Sequence, residues 1–357
     1  MILFLKIFSF FLIFIQPLYA QKFKIEKILD LKDPWSLTFL NKEEVLITEK
    51  EGEIILADIK SKEVKNVKHN LNYKVDGQGG LLDILKYNND IFICYTEDRG
   101  GGKTSTSIAK AIFTKDSLNF KNIFQANPPI NSGYHFGCRL VVKDNMIYAS
   151  AGERGSGNIA QDPKNHVGKI IRINLDGSAP NNNPKFKGKS DWLSEIYQIG
   201  IRNPQGMTLS PFNSKIYISN HGAKGGDFFG EIKYGENYGW QIWCWGGVNY
   251  SGTKCGETDR WEPRFTKPLY TWTPSIAVSA VQIYKGDEFK EWNNHILITS
   301  LKDESIRKLE FKNENEVGKE EILVKSKLGR IRDLKISEDG KIYILSNGAG
   351  ALWVIKK

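Results

Sequence analysis

Short runs of alternating apolar and polar residues recur along the chain and predict β-strands. Each run is rich in β-branched and aromatic residues and stops at Gly, Asn or charged residues typical of turns. Several are followed by a second run, which indicates hairpins. The runs begin near Val45, Ile91, Met146, Lys215, His295 and Lys341. No long stretch has the period of an amphipathic α-helix.

The spacing between these runs, roughly 46 to 80 residues, is close to the length of a propeller blade with its loops. We therefore predict an all-β, six-bladed β-propeller, with a first strand near Phe23 that completes the ring. A pair of β-sandwiches is the structural alternative. In a propeller the loops between strands gather on one face around the axis, so loop residues far apart in sequence can share one site.

The first twenty residues, MILFLKIFSFFLIFIQPLYA, contain one Lys, a nearly unbroken apolar run and a small residue at the end. This pattern predicts a signal peptide at residues 1–20, followed by a single propeller domain at residues 21–357. An uncleaved membrane anchor is the alternative, although the apolar run from Ile2 to Ile15 is short for a span. No later segment approaches about eighteen apolar residues. We therefore expect a periplasmic or secreted protein with no membrane span after signal cleavage.

Composition narrows the possible partners. With 357 residues, 40% of them hydrophobic, the chain can bury a large core. The net charge is +9, but Lys and Arg are interspersed with acidic residues and form no long basic block. We therefore expect no nucleic-acid partner.

The four cysteines, Cys94, Cys138, Cys244 and Cys255, do not have the spacing of a zinc site. Export permits disulfides, and four cysteines allow three pairings. We favour Cys244 with Cys255, because the Gly-rich segment WGGVNYSGTK between them can bend back. Cys94 and Cys138 are then either free or paired.

Nine loop phrases contain the functional signal. In chain order they are VDGQGGLLDI, GYHFGCRL, AGERGSGNIAQDPKNHVGKIIRINLDG, IGIRNPQG, HGAKGGD, NYGW, LYTWTPSIA, TSLK and GRIRDL. Together they resemble the soluble quinoprotein sugar dehydrogenases, specifically the aldose sugar dehydrogenase branch of the glucose and sorbosone dehydrogenase family. The resemblance extends from about residue 22 to the C-terminus. It implies a six-bladed propeller that uses pyrroloquinoline quinone (PQQ) and calcium to oxidise the anomeric carbon of aldoses to lactones.

His135 is the candidate general base. It is one of five histidines, it lies between Gly133 and Gly137, and imidazole titrates near neutral pH. The resemblance implies that His135 takes the sugar hydroxyl proton while hydride passes to the quinone. A purely structural histidine is the alternative.

Glu153, in the phrase GERG, is the candidate orienting partner of His135. The resemblance places a GDRG-like phrase at this point, so Glu stands where relatives usually have Asp. The extra methylene lengthens the reach to His135, and the pairing then requires a backbone shift or a different rotamer. An ordinary turn carboxylate is the alternative.

The resemblance also implies a set of cofactor contacts. Cations suit the carboxylates and quinone oxygens of PQQ, amides provide further polar contacts, and aromatic rings face the cofactor or sugar. The matching positions are Arg202, Lys302, Arg330, Arg332, Asn203, Gln78, Tyr270 and Trp272. The alternatives are surface charge for the cations, turn chemistry for Gln78, and core packing for the two aromatic residues.

The resemblance places calcium on backbone carbonyls in an HGP-like phrase, which here reads His221-Gly222-Ala223. Ala in place of Pro keeps the carbonyl, so Gly222 and Ala223 are the candidate calcium ligands. Two departures from related sequences stand out. Phe228 replaces the Glu of a GGDE phrase, which removes a carboxylate from a second, structural calcium site and leaves Tyr238 without its companion. Cys138 replaces a Gly in HFGGRL.

The sequence thus favours an exported quinoprotein that oxidises a small-molecule aldose and passes electrons to an acceptor of unknown identity. A calcium-dependent lactonase on a similar propeller is one alternative, although such sites rely on side-chain carboxylates and the loops here are rich in cations. A non-catalytic ligand-binding propeller is the other, because function lies in the loops and not in the fold.

Overall fold

Six four-stranded antiparallel sheets surround a common axis in this computed structural model. The structure describes residues 23–114, 116–185, 192–258 and 260–357. The predicted all-β, six-bladed propeller is confirmed, and the alternative of two β-sandwiches is wrong. The predicted signal peptide lies outside the described residues. Among those described, no helix is long and apolar enough to cross a bilayer.

The strands follow one another blade by blade. The chain begins with β1 (Lys24–Asp30), and blade 1 contains β2 (Pro34–Phe39), β3 (Glu44–Glu49), β4 (Ile54–Asp58) and β5 (Val64–Asn66). A parallel pair, β6 (Lys68–His69) and β10 (Ser117–Leu118), flanks blade 2, which contains β7 (Leu81–Tyr87), β8 (Asp90–Asp98), β9 (Thr104–Ile112) and β11 (Lys121–Gln125). Blade 3 contains β12 (Gly137–Lys143), β13 (Met146–Ala151), β14 (Lys169–Asn174) and β15 (Ile196–Gln198).

The second half of the ring repeats the pattern. Blade 4 contains β16 (Pro204–Leu209), β17 (Ile216–Asn220), β18 (Asp227–Glu231) and β19 (Tyr270–Trp272). Blade 5 contains β20 (Val278–Ile283), β21 (Ile296–Ser300), β22 (Ser305–Asn313) and β23 (Glu316–Lys325). Blade 6 contains β24 (Ile331–Ile336), β25 (Ile342–Ser346) and β26 (Ala351–Lys356), together with β1. Short 3-10 turns lie at Gly157–Gln161 and Lys290–Trp292.

The ring closes through both ends of the chain. β1 pairs antiparallel with β26, with Lys24 opposite Lys356 and Asp30 opposite Ala351. The predicted first strand near Phe23 is therefore confirmed as the outermost strand of blade 6. The innermost strand of each blade contacts the innermost strands of its two neighbours, and β24 contacts β2 to complete the circle.

The apolar runs that predicted the fold correspond to the second strand of each blade. Every residue of β17, β21 and β25 is buried, whereas every residue of β5, at the outer edge of blade 1, is exposed. The second strand is covered by adjacent blades on both faces, so it is apolar nearly throughout. The hydrophobic core accordingly lies between blades. One cluster joins Phe92 and Ile108 of blade 2 to Leu140 and Ile171 of blade 3.

A buried ionic cluster ties the inner strands together at the axis. Arg139 on β12 is 2% exposed, and its Nη1 lies 3.2 Å from Oδ1 of Asp83 on β7 and 2.9 Å from Oδ1 of Asp333 on β24. Its Nε donates to the carbonyl of Gln205 on β16 (2.7 Å). The second oxygen of Asp333 accepts from the backbone N–H of Leu37 on β2 (3.2 Å). Five of the six blades are linked in this way.

Both disulfides are intramolecular. Cys244 is bonded to Cys255, the pairing favoured from the sequence, and this bond closes a loop between β18 and β19. Cys94 on β8 is bonded to Cys138 on β12, which joins blade 2 to blade 3. All four cysteines are therefore oxidised.

Candidate functional site

A cavity of about 370 Å³ opens at one end of the propeller. At this end lie the loops that precede the innermost strands and the loops that follow the second strands. Of the predicted residues, Gln78, Asn203, Arg330 and Arg332 line it. Phe136 and Gly137, which follow His135 directly, also form part of the wall. Loops from every blade contribute lining residues, as the propeller architecture predicts.

The backbone around His135 is paired with the turn that contains Glu153. The N–H of Gly152 donates to the Phe136 carbonyl (3.0 Å), and the N–H of Arg154 donates to the His135 carbonyl (3.3 Å). The two segments are so close that position 152 requires Gly, because a Cβ there would lie 2.0 Å from the His135 carbonyl oxygen. Two loops that are separate in sequence therefore meet side by side.

The His135 imidazole contacts Glu153 through Nδ1 and Oε1. Because the Glu153 carboxylate only accepts, Nδ1 is the protonated nitrogen and Nε2 is left as the acceptor. The other oxygen of Glu153 accepts from the Gly157 N–H (2.7 Å), and the side chain is 2% exposed. The longer reach of Glu is thus accommodated, and the imidazole is held in the tautomer that suits a base.

Burial and charge set the protonation states of this pair. Burial lowers the pKa of His135 below its ordinary 6.5, with the hydrogen bond to Glu153 acting in the opposite direction and Arg202 reinforcing the decrease. For Glu153, burial raises the pKa, but the hydrogen bond and charge of His135, with the Gly157 N–H, outweigh it and hold the pKa below 4.5. The pair therefore consists of a neutral imidazole and a carboxylate at neutral pH.

Hydrogen-bonded amide side chains connect the backbone of the His135 loop to Arg332. Oε1 of Gln78 accepts from the His135 N–H (3.0 Å), and Oδ1 of Asn203 accepts from the Gly137 N–H (3.1 Å). Gln205 donates to Asn203 (3.1 Å) and accepts from Nη1 of Arg332 (2.8 Å). Gln205 was not predicted, although it lies two residues after Asn203 in the same phrase, IGIRNPQG.

Two buried guanidinium groups have unused donors. In the part of the chain that the structure describes, the buried Nε atoms of Arg202 and Arg332 have no hydrogen-bond partner. Burial, the Arg139 charge and the Arg330 charge lower the pKa of Arg332 to about 9, and burial likewise lowers the pKa of Arg202. Buried donors and crowded cations of this kind are satisfied by an anionic ligand. The cavity therefore fits a cofactor that bears carboxylates.

Of the remaining predicted cofactor contacts, two lie at or next to the cavity and two lie on an outer strand. Arg330 is exposed in the cavity wall, and Lys302 is exposed on the loop next to Leu301, which also lines the cavity. Tyr270 and Trp272 lie on β19, the outermost strand of blade 4. Their side chains contact Glu320 on β23, with Trp272 Nε1 donating to Oε1 at 2.8 Å. The structure does not bring these two aromatic residues to the cavity.

The HGA turn lies beside the cavity. Gly222 and Ala223 are buried, and the N–H of Gly222 donates to Oδ1 of Asp227 (2.8 Å). Asp227 also accepts from the Val278 N–H (3.1 Å), so its carboxylate organises the turn. Among the described residues, no group of three or more His, Cys, Asp or Glu side chains is placed to hold a metal. A cation at this turn would therefore depend on backbone carbonyls.

Tyr250 is a cavity residue that was not predicted individually. It is 70% exposed and lines the cavity, and its ring centroid lies 6.0 Å from the guanidinium of Arg202. The Trp240 ring lies 5.2 Å from the same guanidinium. The sequence signal was an aromatic residue inside the Gly-rich loop that Cys244 and Cys255 close.

Comparison with known proteins now identifies the family. A family profile described as Glucose / Sorbosone dehydrogenase matches residues 31–354. The chain belongs to the glucose/sorbosone dehydrogenase family. Among curated members, the aldose sugar dehydrogenase YliI of Escherichia coli K12 is 31% identical over 328 residues, which is 89% of this chain and 88% of the relative.

Two further proteins similar to this chain support its assignment to the glucose/sorbosone dehydrogenase family. Quinoprotein glucose dehydrogenase B of Acinetobacter calcoaceticus is 26% identical over 407 aligned positions, which cover 90% of this chain and 84% of the relative. The crystal structure of the soluble aldose sugar dehydrogenase of Escherichia coli in its apo form matches with a TM-score of 0.88 and 30% identity, covering 94% of this chain and 99% of that one. The resemblance inferred from the loop phrases is therefore confirmed.

One departure from the family pattern has a clear structural outcome. Phe228, which replaces the Glu of GGDE, is buried and stacks on Tyr238 with ring centroids 4.7 Å apart. Tyr238 donates its hydroxyl hydrogen to the Glu231 carbonyl (2.6 Å). An aromatic stack therefore occupies the position at which the sequence resemblance implies a carboxylate.

Proposed function

We propose that this protein is an exported, PQQ- and calcium-dependent aldose dehydrogenase that converts the anomeric C–OH of a sugar into a lactone. One observation supports this best: the His135–Glu153 pair adjoins a cavity lined by Arg330 and Arg332, and the buried Nε atoms of Arg332 and of Arg202, the neighbour of the lining residue Asn203, have no partner among the described residues. A base beside an anion-binding cavity is what oxidation by an anionic quinone requires. The quinoprotein in the family supports the choice of cofactor.

In this proposal, Arg202, Arg330, Arg332 and Lys302 bind the carboxylates of the cofactor. The carbonyls of Gly222 and Ala223 hold calcium. When bound, PQQ with calcium supplies a polarised quinone that accepts hydride from the sugar. Asn203 and Gln78 hold the backbone of the histidine loop against the cavity.

His135 performs the proton chemistry in this proposal. Its unprotonated Nε2 takes the proton of the anomeric hydroxyl as C1 becomes the lactone carbonyl. Glu153 accepts from Nδ1 throughout and stabilises the imidazolium that forms. Burial, reinforced by the charges of nearby arginines, disfavours protonation of His135 in the resting state, which keeps the base available.

Two further features belong to the proposal. Residues 1–20 act as a signal peptide and residues 21–357 form one mature domain, which places the enzyme in the periplasm or outside the cell.

A lactonase is less consistent with the site, because the described residues contain no carboxylate cluster around the axis of the kind that binds such a metal. A non-catalytic binding protein gives no reason for the orientation of His135 by Glu153.

The test is to produce residues 21–357, add PQQ and calcium, and follow dye reduction with a panel of aldoses. Quinone binding is measured separately by titration of the apoprotein. We expect binding and aldose-dependent turnover. If the protein binds the quinone and oxidises no aldose, the dehydrogenase proposal is wrong. Lactone hydrolysis without added quinone would support the lactonase instead.

A matched pair of histidine variants separates catalysis from binding. His135→Ala should lower kcat by about 10²–10⁴-fold, because a general base typically contributes that factor, while the quinone Kd changes little. His295→Ala is the control, since His295 lies in a blade 5 turn, its Nδ1 is 3.3 Å from the Asn293 carbonyl oxygen, and it does not line the cavity. Equal turnover of the two variants would contradict the role of His135.

A further inference from the structure

We propose that the Cys94–Cys138 disulfide positions His135 by holding the backbone that follows it in a left-handed path. This inference rests on the proposed function, since it concerns the base of that site. It assigns Cys94 and Cys138 as positioning residues and gives them no contact with the reacting atoms. The bond is buried, with both cysteines fully inaccessible to solvent.

The backbone of the histidine loop is unusual. His135, Gly137 and Cys138 have φ values of 50°, 67° and 69°. Gly adopts such values freely, but a residue with a Cβ does so at a cost in free energy. In this chain a Cβ therefore stands where the backbone favours its absence.

The disulfide supplies an anchor at the strained position. Cys138 lies in the irregularity of the β12–β13 pairing between Gly137 and Leu140. Its partner, Cys94, lies in the middle of β8, which is paired with β7 on one side and β9 on the other. The Cα atoms of the two cysteines are 5.5 Å apart. A rigid strand of blade 2 thus fixes the bulge at the start of blade 3.

The anchor lies within a few residues of the contacts that orient the base. Gly137 donates to Asn203, and the Phe136 carbonyl accepts from Gly152, next to Glu153. If the bond to Cys94 is removed, Cys138 can relax toward negative φ, and the rotation passes directly to Gly137 and His135. If Cys138 is Gly, the left-handed path is inexpensive and needs no anchor. The two substitutions should therefore have opposite effects.

The experiment compares the wild type with C94A, C94A/C138G and the control Ile93→Val, which trims a buried neighbour on the same strand. We expect C94A to lower kcat about tenfold or more, since small misplacements of a reacting group are costly, with the quinone Kd unchanged within about threefold. C94A/C138G should recover most of the lost kcat, and Ile93→Val should resemble the wild type. A double variant no better than C94A, or a fully active C94A, would overturn the proposal.

Two measurements do not depend on turnover. Nitrogen chemical shifts of the His135 ring in the apoprotein should show loss of the Nδ1 hydrogen bond in C94A and its return in C94A/C138G. Urea unfolding should show the double variant to be more stable than C94A. If C94A does not fold but the double variant does, the rescue supports the inference. If neither folds, glycine does not replace the anchor and the inference fails. Correct shifts without any aldose oxidation would instead refute the proposed function alone.

Discussion

At the scale of single residues, burial and the neighbours Arg202 and Glu153 together set the ionisation of His135. Burial removes water from the imidazole, Arg202 opposes a second positive charge, and Glu153 favours one. Because the first effect is the largest, the net shift is downward. The neutral imidazole then offers Nε2 to a substrate while Nδ1 stays on the carboxylate.

This balance predicts the pH dependence of activity. A group with a lowered pKa is in its base form above that pKa, so activity is retained at neutral pH and is lost as pH falls through the lowered value. We expect the acid limb of kcat/KM to have its midpoint below pH 6.5, the ordinary value for histidine. Steady-state dye reduction measured between about pH 4.5 and 8, a range that includes the titration of histidine, gives this midpoint. A midpoint above 7 would show that another group controls the limb.

Glu153 offers a second prediction. Glu153→Gln removes the charge that stabilises the imidazolium and permits an amide N–H to face Nδ1, so kcat should fall at least about tenfold. Its pH midpoint should move further down, because the carboxylate raises the pKa of His135. Glu153→Asp keeps the charge and should lose less activity. Similar kcat values for the Gln and Asp variants would show that charge at this position is unimportant.

At the scale of elements, strands and loops differ in how much their sequence reveals. The second strands were predictable because both of their faces are buried, as in β17 and β25. Tyr270 and Trp272 were assigned to the cofactor because a motif does not show which strand of a blade it occupies. They lie on an outer strand instead. Gln205 and Tyr250 escaped prediction because their roles arise from contacts between residues far apart in sequence, Gln205 with Arg332 of blade 6 and Tyr250 with Arg202.

The loop closed by Cys244 and Cys255 carries its own prediction. It holds Tyr250 in the cavity wall beside Arg202. Tyr250→Ala should weaken quinone binding about 3- to 10-fold, the range expected from the loss of one aromatic contact. The control is Tyr234→Ala, which removes another exposed tyrosine whose ring contacts Tyr197 outside the cavity. Equal Kd values for the two variants would exclude a contact between Tyr250 and the cofactor.

At the scale of the whole molecule, the blades are held by apolar packing between neighbours and by the ionic cluster at the axis. Arg139 reaches strands from blades 2, 4 and 6. Its guanidinium also lies 4.1 Å from the Trp35 ring of blade 1. The sequence predicted the number of blades but not this cluster, because its members are isolated polar residues within apolar strands.

Arg139→Leu should therefore destabilise the entire ring. It removes the cation shared by the buried Asp83 and Asp333 carboxylates, leaving Asp333 with its longer ion pair to Lys335 (3.5 Å), and breaking a buried ion pair typically costs about 3–5 kcal/mol. The control is Lys110→Ala, which removes a partly exposed ion pair with Asp90 and should cost less than about 1 kcal/mol. Urea denaturation of both variants measures the difference. A loss for Arg139→Leu as small as that for the control would show that the cluster does not stabilise the fold.

The pairing of β1 with β26 also has a temporal meaning. Lys24 and Lys356 are opposite each other, so blade 6 obtains its fourth strand only after nearly the whole chain has been synthesised. Contacts between such distant residues are the slowest to form, because the loop they close is the longest available. Until then β1 has no strand partner, and its edge is open to pairing with other chains. The ring of an incomplete chain therefore cannot close, and the unpaired edge has to be protected until β1 and β26 can pair.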